Sequence, residues 1–123
     1  MSISYYLREN PLSDDPLSFR AIVSPVRTVD ISGVIERMVH RGTTPNASDI
    51  LSVFEDFCAA LPELLREGAN VNTPFANFRS SIKGKFVGYE DKIDRSRHQV
   101  VPSLSAGKRL KDNYRNGITT NLV

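Results

Sequence analysis

The segment from Asn46 to Gly68 constrains the fold more than any other part of the 123-residue chain. Its apolar positions Ile50, Leu51, Phe54, Phe57, Cys58, Leu61, Leu64 and Leu65 recur at helical spacing, forming a wide stripe on a helix that runs to about Glu67. Asn46 stands at the N-cap position, and Asp49, three residues on, carries a charge suited to the first turn. Gly68 closes the helix. Pro62 lies inside it and cannot donate to the carbonyl of Cys58, so a kink is expected there. The stripe is too wide for one small partner element to cover, which agrees with dimerisation.

The length allows one folding unit. Residues 2 to 10 and 19 to 29 are rich in β-branched and aromatic side chains and flank the turn-forming "PLSDDPLS", so they read as two short strands. Pro25 favours an edge or bulge in the second. From Asp30 the period becomes helical, with Ile31, Val34, Ile35, Met38 and Val39 on one face and Gly42 as the stop. After Gly68 the pattern is extended again. Phe78, Ile82 and Phe86 share a strand face, "VGYEDKIDRSRHQ" suits a distal loop or arm, and "VVPSL" is the returning strand. Ser105 is expected to cap a last helix, "AGKRLKDNYRN", ended by Gly117. The tail "ITTNLV" carries no clear signal. The expected order is β-β-α-α-β-β-α.

The formal charge of +2 hides an asymmetry. Residues 1 to 73 hold six arginines, no lysine and ten acids, a net of −4, whereas residues 74 to 123 hold ten basic residues and four acids, a net of +6. A basic half on an acidic base fits an arm that binds nucleic acid, and equally a solvated basic surface. No apolar run is long enough to cross a bilayer and no leader pattern follows Met1, so a cytoplasmic protein is expected. Cys58 reads as a small core side chain, and His40 and His98 lack the spacing of a metal site. No phosphate loop, nucleophile elbow or paired carboxylates can be picked out, and we expect no enzyme, no cofactor and no small-molecule substrate.

From residue 30 onward the order resembles the HU and integration-host-factor type of bacterial histone-like DNA-binding protein. "NASDILSVFEDFCAALPELLREGANVNTPFANF" is similar to that family's second helix and the strand leading into its turn, and "PSLSAGKRLKD" to its final strand and helix. "RHQV" and the N-terminal strands resemble a variant HU-like branch. The resemblance implies an α+β fold with two N-terminal helices, a sheet with an extended arm and a short C-terminal helix, here preceded by an extra two-strand extension. The corresponding division is 1–29 for the extension, 30–116 for the DNA-binding domain and 117–123 for a tail. It also implies an intertwined dimer whose arms embrace the minor groove of duplex DNA, in an architectural, nucleoid-associated role with little sequence preference.

The chain departs from that pattern in three ways. Pro74 and Ala76 replace the turn glycines, residues 84 to 99 contain no proline to wedge between base pairs, and Glu90, Asp91 and Asp94 in the arm oppose Lys92, Arg95 and Arg97. Ile93 and Tyr89 remain as apolar side chains able to act as a wedge. The candidate DNA contacts are Arg79, Lys83 and Lys85 at the arm base, Lys92, Arg95, Arg97 and His98 in the arm, and Lys108, Arg109 and Lys111 on the last helix. Strand alternation lets Arg79, Lys83 and Lys85 point the same way, and the start of the last helix, with Gly107, offers unpaired N–H groups to a phosphate. The alternative is a dimer of the same fold that has lost DNA binding and serves as a structural or protein-interaction module.

Overall fold

The computed structural model describes residues 2–12, 14–25 and 27–123. The chain runs β1 (Ser2–Glu9), β2 (Phe19–Val23), α1 (Ile31–His40), α2 (Ala47–Arg66), β3 (Val71–Asn72), β4 (Ala76–Lys83), β5 (Gln99–Ala106), α3 (Lys108–Gly117) and β6 (Thr119–Leu122). Two compact units result, one comprising the residues up to Thr44 together with Asn113–Val123, the other Pro45–Asp112.

This corrects the expected HU-type fold class. Among the described residues the architecture is α+β with three helices and two three-stranded sheets, but the chain opens on strands rather than on two N-terminal helices. The reason lies in β1, which is the central strand of its sheet. It pairs antiparallel with β2 and parallel with β6, so the opening strands need the last residues of the chain to complete their sheet.

In this first unit the register alternates side chains between two faces. Ile3, Tyr5 and Leu7 share one face with Ala21, Val23 and Leu122, while Ser2, Ser4, Tyr6 and Arg8 share the other with Arg20, Ile22, Thr119 and Asn121. Asn121 donates from its side-chain amide to the Ser2 hydroxyl, tying the chain's two ends. β2 stops at Val23, two residues before Pro25. The Asp30 carboxylate caps α1 by accepting the Gly33 N–H at 3.2 Å, and Ile35 is buried.

In the second unit Asn46 caps α2 as its position implied, accepting the Asp49 N–H at 2.8 Å. α2 continues through Pro62 to Arg66. Its stripe is only partly covered: Phe57 meets Phe78 of β4 edge to face at 6.5 Å, yet Phe57 stays 42% exposed and no residue of α2 is buried, so Cys58, expected in the core, is exposed in the single chain. The sheet has the order β3-β4-β5, with β4 and β5 in antiparallel register from Ala76↔Ala106 to Lys83↔Gln99. β5 extends to Ala106, so Ser105 is a strand residue opposite Asn77 rather than a helix cap, and α3 begins two residues later than expected.

Candidate nucleic-acid interface

The β4–β5 register sorts this sheet into unlike faces. Phe78, Ile82, Val100 and Leu104 fall on one, and Asn77, Arg79, Ser81 and Lys83 fall on the other with Gln99, Val101, Ser103 and Ser105. Arg79 and Lys83 therefore share a polar face that carries no acid. Lys85 does not extend that row, because β4 ends at Lys83 and Gly84 turns the chain with φ +121°. Phe86 likewise leaves the strand face expected for it. Lys85 keeps its side chain exposed while its carbonyl accepts a bond from His98.

Residues 84 to 98 fold back on themselves. His98 is only 6% exposed, and both its ring nitrogens are used. Nδ1 accepts the Asp94 N–H at 2.9 Å, so the proton sits on Nε2, which donates to the Lys85 carbonyl at 2.9 Å. Its imidazole lies flat on Phe86, centroids 3.8 Å apart and planes 5° from parallel. A β-carbon at Gly84 would overlap the Arg97 carbonyl oxygen and stand 2.7 Å from His98 Cδ2, so glycine is needed for this closure as well as for the turn.

Two of the arm's acids, Asp91 and Asp94, are held within the same loop. Arg97 grips Asp91 with both terminal nitrogens, at 2.8 and 3.0 Å, and reaches Asp94 through Nε at 3.2 Å. Asp91 also accepts the Val87 N–H at 2.8 Å. The guanidinium first, and that N–H second, hold the Asp91 carboxyl well below the usual carboxylate range. Asp94 is lowered too, by the Ser96 N–H and hydroxyl and then by Arg97, and the two acids raise Arg97 above the ordinary arginine value. Arg97 and His98 are thus occupied inside the loop, whereas Arg79, Lys83, Lys85, Lys92 and Arg95 enter no ion pair among the described residues. Tyr89, beside Gly88 at the loop's turn, is fully exposed.

Part of the N–H set at the start of α3 is already used. The N–H groups of Arg109 and Leu110 donate to the Pro74 carbonyl at 3.0 and 3.4 Å, and Gly107 N–H donates to Phe75 O at 2.8 Å. Close approach at Gly107 is used by this backbone, since a β-carbon there would stand 2.6 Å from the Pro74 carbonyl carbon and the Thr73 oxygen. Arg109 lays its guanidinium over the Phe75 ring, 5.2 Å from the centroid, while Lys108 and Lys111 are exposed.

A concavity of about 560 Å³ lies beside the closed loop, lined by Lys83, Gly84, Arg95, Ser96, Arg97, His98 and Gln99. It joins Lys83 and Arg95, which are twelve positions apart in sequence. Reading residue types missed the roles of Gly84, Phe86, Asp91 and Asp94. For the two acids, their spacing of six and three residues ahead of Arg97 is the local signal that could have found them. Among the described residues no group of three or more histidines, cysteines and acids is placed to hold a metal ion, and no helix is long and apolar enough to cross a membrane.

The sequence model of the family HU-DNA_bdg, described as a DNA-binding domain, matches residues 2–122. No curated protein matches the chain in sequence. Among solved structures the chain is similar to a Bacteroides vulgatus protein provisionally named a bacterial DNA-binding protein, with a TM-score of 0.83 and 18% identity. The match covers 99% of this chain and 48% of that one, so the chain spans about half the length of its structural relative. At that identity the likeness concerns the fold.

Proposed function

The chain belongs to the HU-DNA_bdg family of DNA-binding domains, and from that premise we propose that it binds duplex DNA as a homodimer, largely without sequence preference, in an architectural role on the nucleoid. The observation that carries this reading is the distribution of charge in the second unit. Arg79 and Lys83 line a sheet face without acids, and the acids Asp91 and Asp94 are turned onto Arg97 within the loop. Lys83, Lys85, Lys92 and Arg95 then act as phosphate contacts, with Lys108 and Lys111 as further candidates. Each phosphate neutralised releases counterions, so affinity falls steeply with salt and depends little on base sequence.

The dimer is supported by apolar surface within the same unit. Leu51, Phe54, Phe57 and Leu64 of α2 and Ile82, Val100 and Leu104 of the sheet are all exposed. A second copy of the chain covers them. A mobility-shift titration of duplex DNA at low salt with micromolar protein tests the function. Retarded complexes that dissolve as salt rises are expected, and the absence of any shift would overturn the reading.

A further inference from the structure

We propose that His98 and Arg97 are positioning residues, which close the 84–98 loop so that Arg95 and Lys83 line one cleft and grip a single stretch of DNA backbone there. The proposal rests on the DNA-binding reading and assigns roles within it. Arg97 and His98 are cationic or ionisable side chains in a basic arm, and their residue types alone fit phosphate contact. The geometry points elsewhere. Arg97 directs all its donors that form bonds at Asp91 and Asp94, and His98 spends one ring nitrogen on the Asp94 N–H and the other on the Lys85 carbonyl. His98 is also nearly inaccessible, between the Phe86 ring and the Gly84 backbone.

The consequence for the cleft follows from the chain path. Lys83 is the last residue of β4 and stands opposite Gln99, the first residue of β5. Arg95 belongs to the turn in which the Arg97 and His98 N–H groups both donate to the Asp94 carbonyl, at 2.9 and 2.7 Å. Bonds from Asp94 to His98 therefore fix the turn carrying Arg95, and the bond from His98 to Lys85 fixes that turn to the end of β4. The cleft so formed has no carboxylate in its lining, while Ser96 and Gln99 provide neutral polar groups. Two cations held at a set separation suit successive phosphates of a polyanion better than scattered lysines on a flexible arm, because less conformational freedom is lost on binding.

A double-mutant cycle tests this, with binding of a random-sequence duplex measured by fluorescence anisotropy across a salt series. Removing both cations (Lys83→Ala with Arg95→Ala) should lower the slope of log K against log salt by about 1.8, at about 0.9 per phosphate contact. Gly84→Ala removes no charge but breaks the closure, and it should weaken binding several-fold in the parent protein and have no further effect once Lys83 and Arg95 are gone. Phe86→Leu, which keeps apolar bulk but loses the stack, provides a milder second route to the same result if Gly84→Ala disturbs folding. Independent, additive losses from Gly84→Ala or Phe86→Leu would overturn the proposal, as would an unchanged slope in the Lys83/Arg95 variant. Displacement of the duplex by a few millimolar inorganic phosphate would also overturn it, in favour of a free-anion site. A parent protein that fails to bind DNA at all would instead defeat the DNA-binding reading on which the cleft depends.

Discussion

The His98 imidazole and the Phe86 ring stack nearly parallel, 5° apart in plane and 3.8 Å between centroids, across twelve positions of sequence. Such a contact contributes about 0.5–1.5 kcal/mol beyond its buried area. Here it backs the ring whose Nδ1 accepts the Asp94 N–H. Phe86→Ala should therefore speed exchange of the Asp94 amide by about tenfold, the equivalent of about 1.4 kcal/mol. The amides of α2 should keep their protection. Hydrogen exchange read residue by residue checks this, and an Asp94 amide unaffected by the loss of Phe86 would show that the stack does not hold the loop.

The loop should tolerate mild acid. Arg97 and the Val87 N–H favour the ionised form of Asp91 and lower its carboxyl in the folded state. For a depressed carboxylate, the stabilisation is complete above the unfolded value, near 3.9, and is lost as pH falls through the lower folded value. Between pH 8 and 5 the Asp91–Arg97 pair should stay intact, with loss confined to stronger acid. Carboxyl carbon shifts followed by NMR would show Asp91 titrating below the ordinary aspartate value. An ordinary midpoint for Asp91 would contradict the pairing.

How much of this was legible in the sequence depends on the range of the interaction. Asn46 and the apolar stripe of α2 obey local rules, and both stand where spacing put them. β6 escaped notice because its partner, β1, lies more than a hundred residues away, so Thr119 and Thr120 carried only a bare β-branched preference. Ser105 was misread for a related reason. A serine before a helix looks like a cap, but pairing with Asn77 keeps it in β5. The cations of the candidate site were visible as residue types, whereas which of them are occupied was not. That distinction needed the backbone turn at Gly84 and the return of His98 to Lys85.

Gly107 tests the α3 start directly. Its neighbours are backbone atoms of Thr73 and Pro74, which cannot move aside as a flexible side chain would. Gly107→Ala should cost about 1–3 kcal/mol through overpacking and lower the melting temperature by several degrees. It should also loosen the Arg109 N–H bond to Pro74. A thermal melt matching the parent would mean that the 73–75 segment yields readily, and the anion site first expected at this helix would regain its case.

The exposed stripe of α2 leads to the last prediction. Phe54 and Leu51 lie beside Phe57 on the apolar side of the helix and are exposed in the single chain. If a second copy covers them, a charge placed there must be buried without a partner or the interface must open. Phe54→Glu should raise the dimer dissociation constant at least about a hundredfold, the equivalent of about 2.7 kcal/mol. Glu55→Gln alters a neighbouring residue off the stripe and should leave assembly unchanged. Sedimentation equilibrium over micromolar concentrations distinguishes these outcomes. A parent protein that sediments as a monomer throughout would remove the homodimer from the proposed function. A Phe54→Glu protein that remains dimeric would instead take this part of α2 out of the interface.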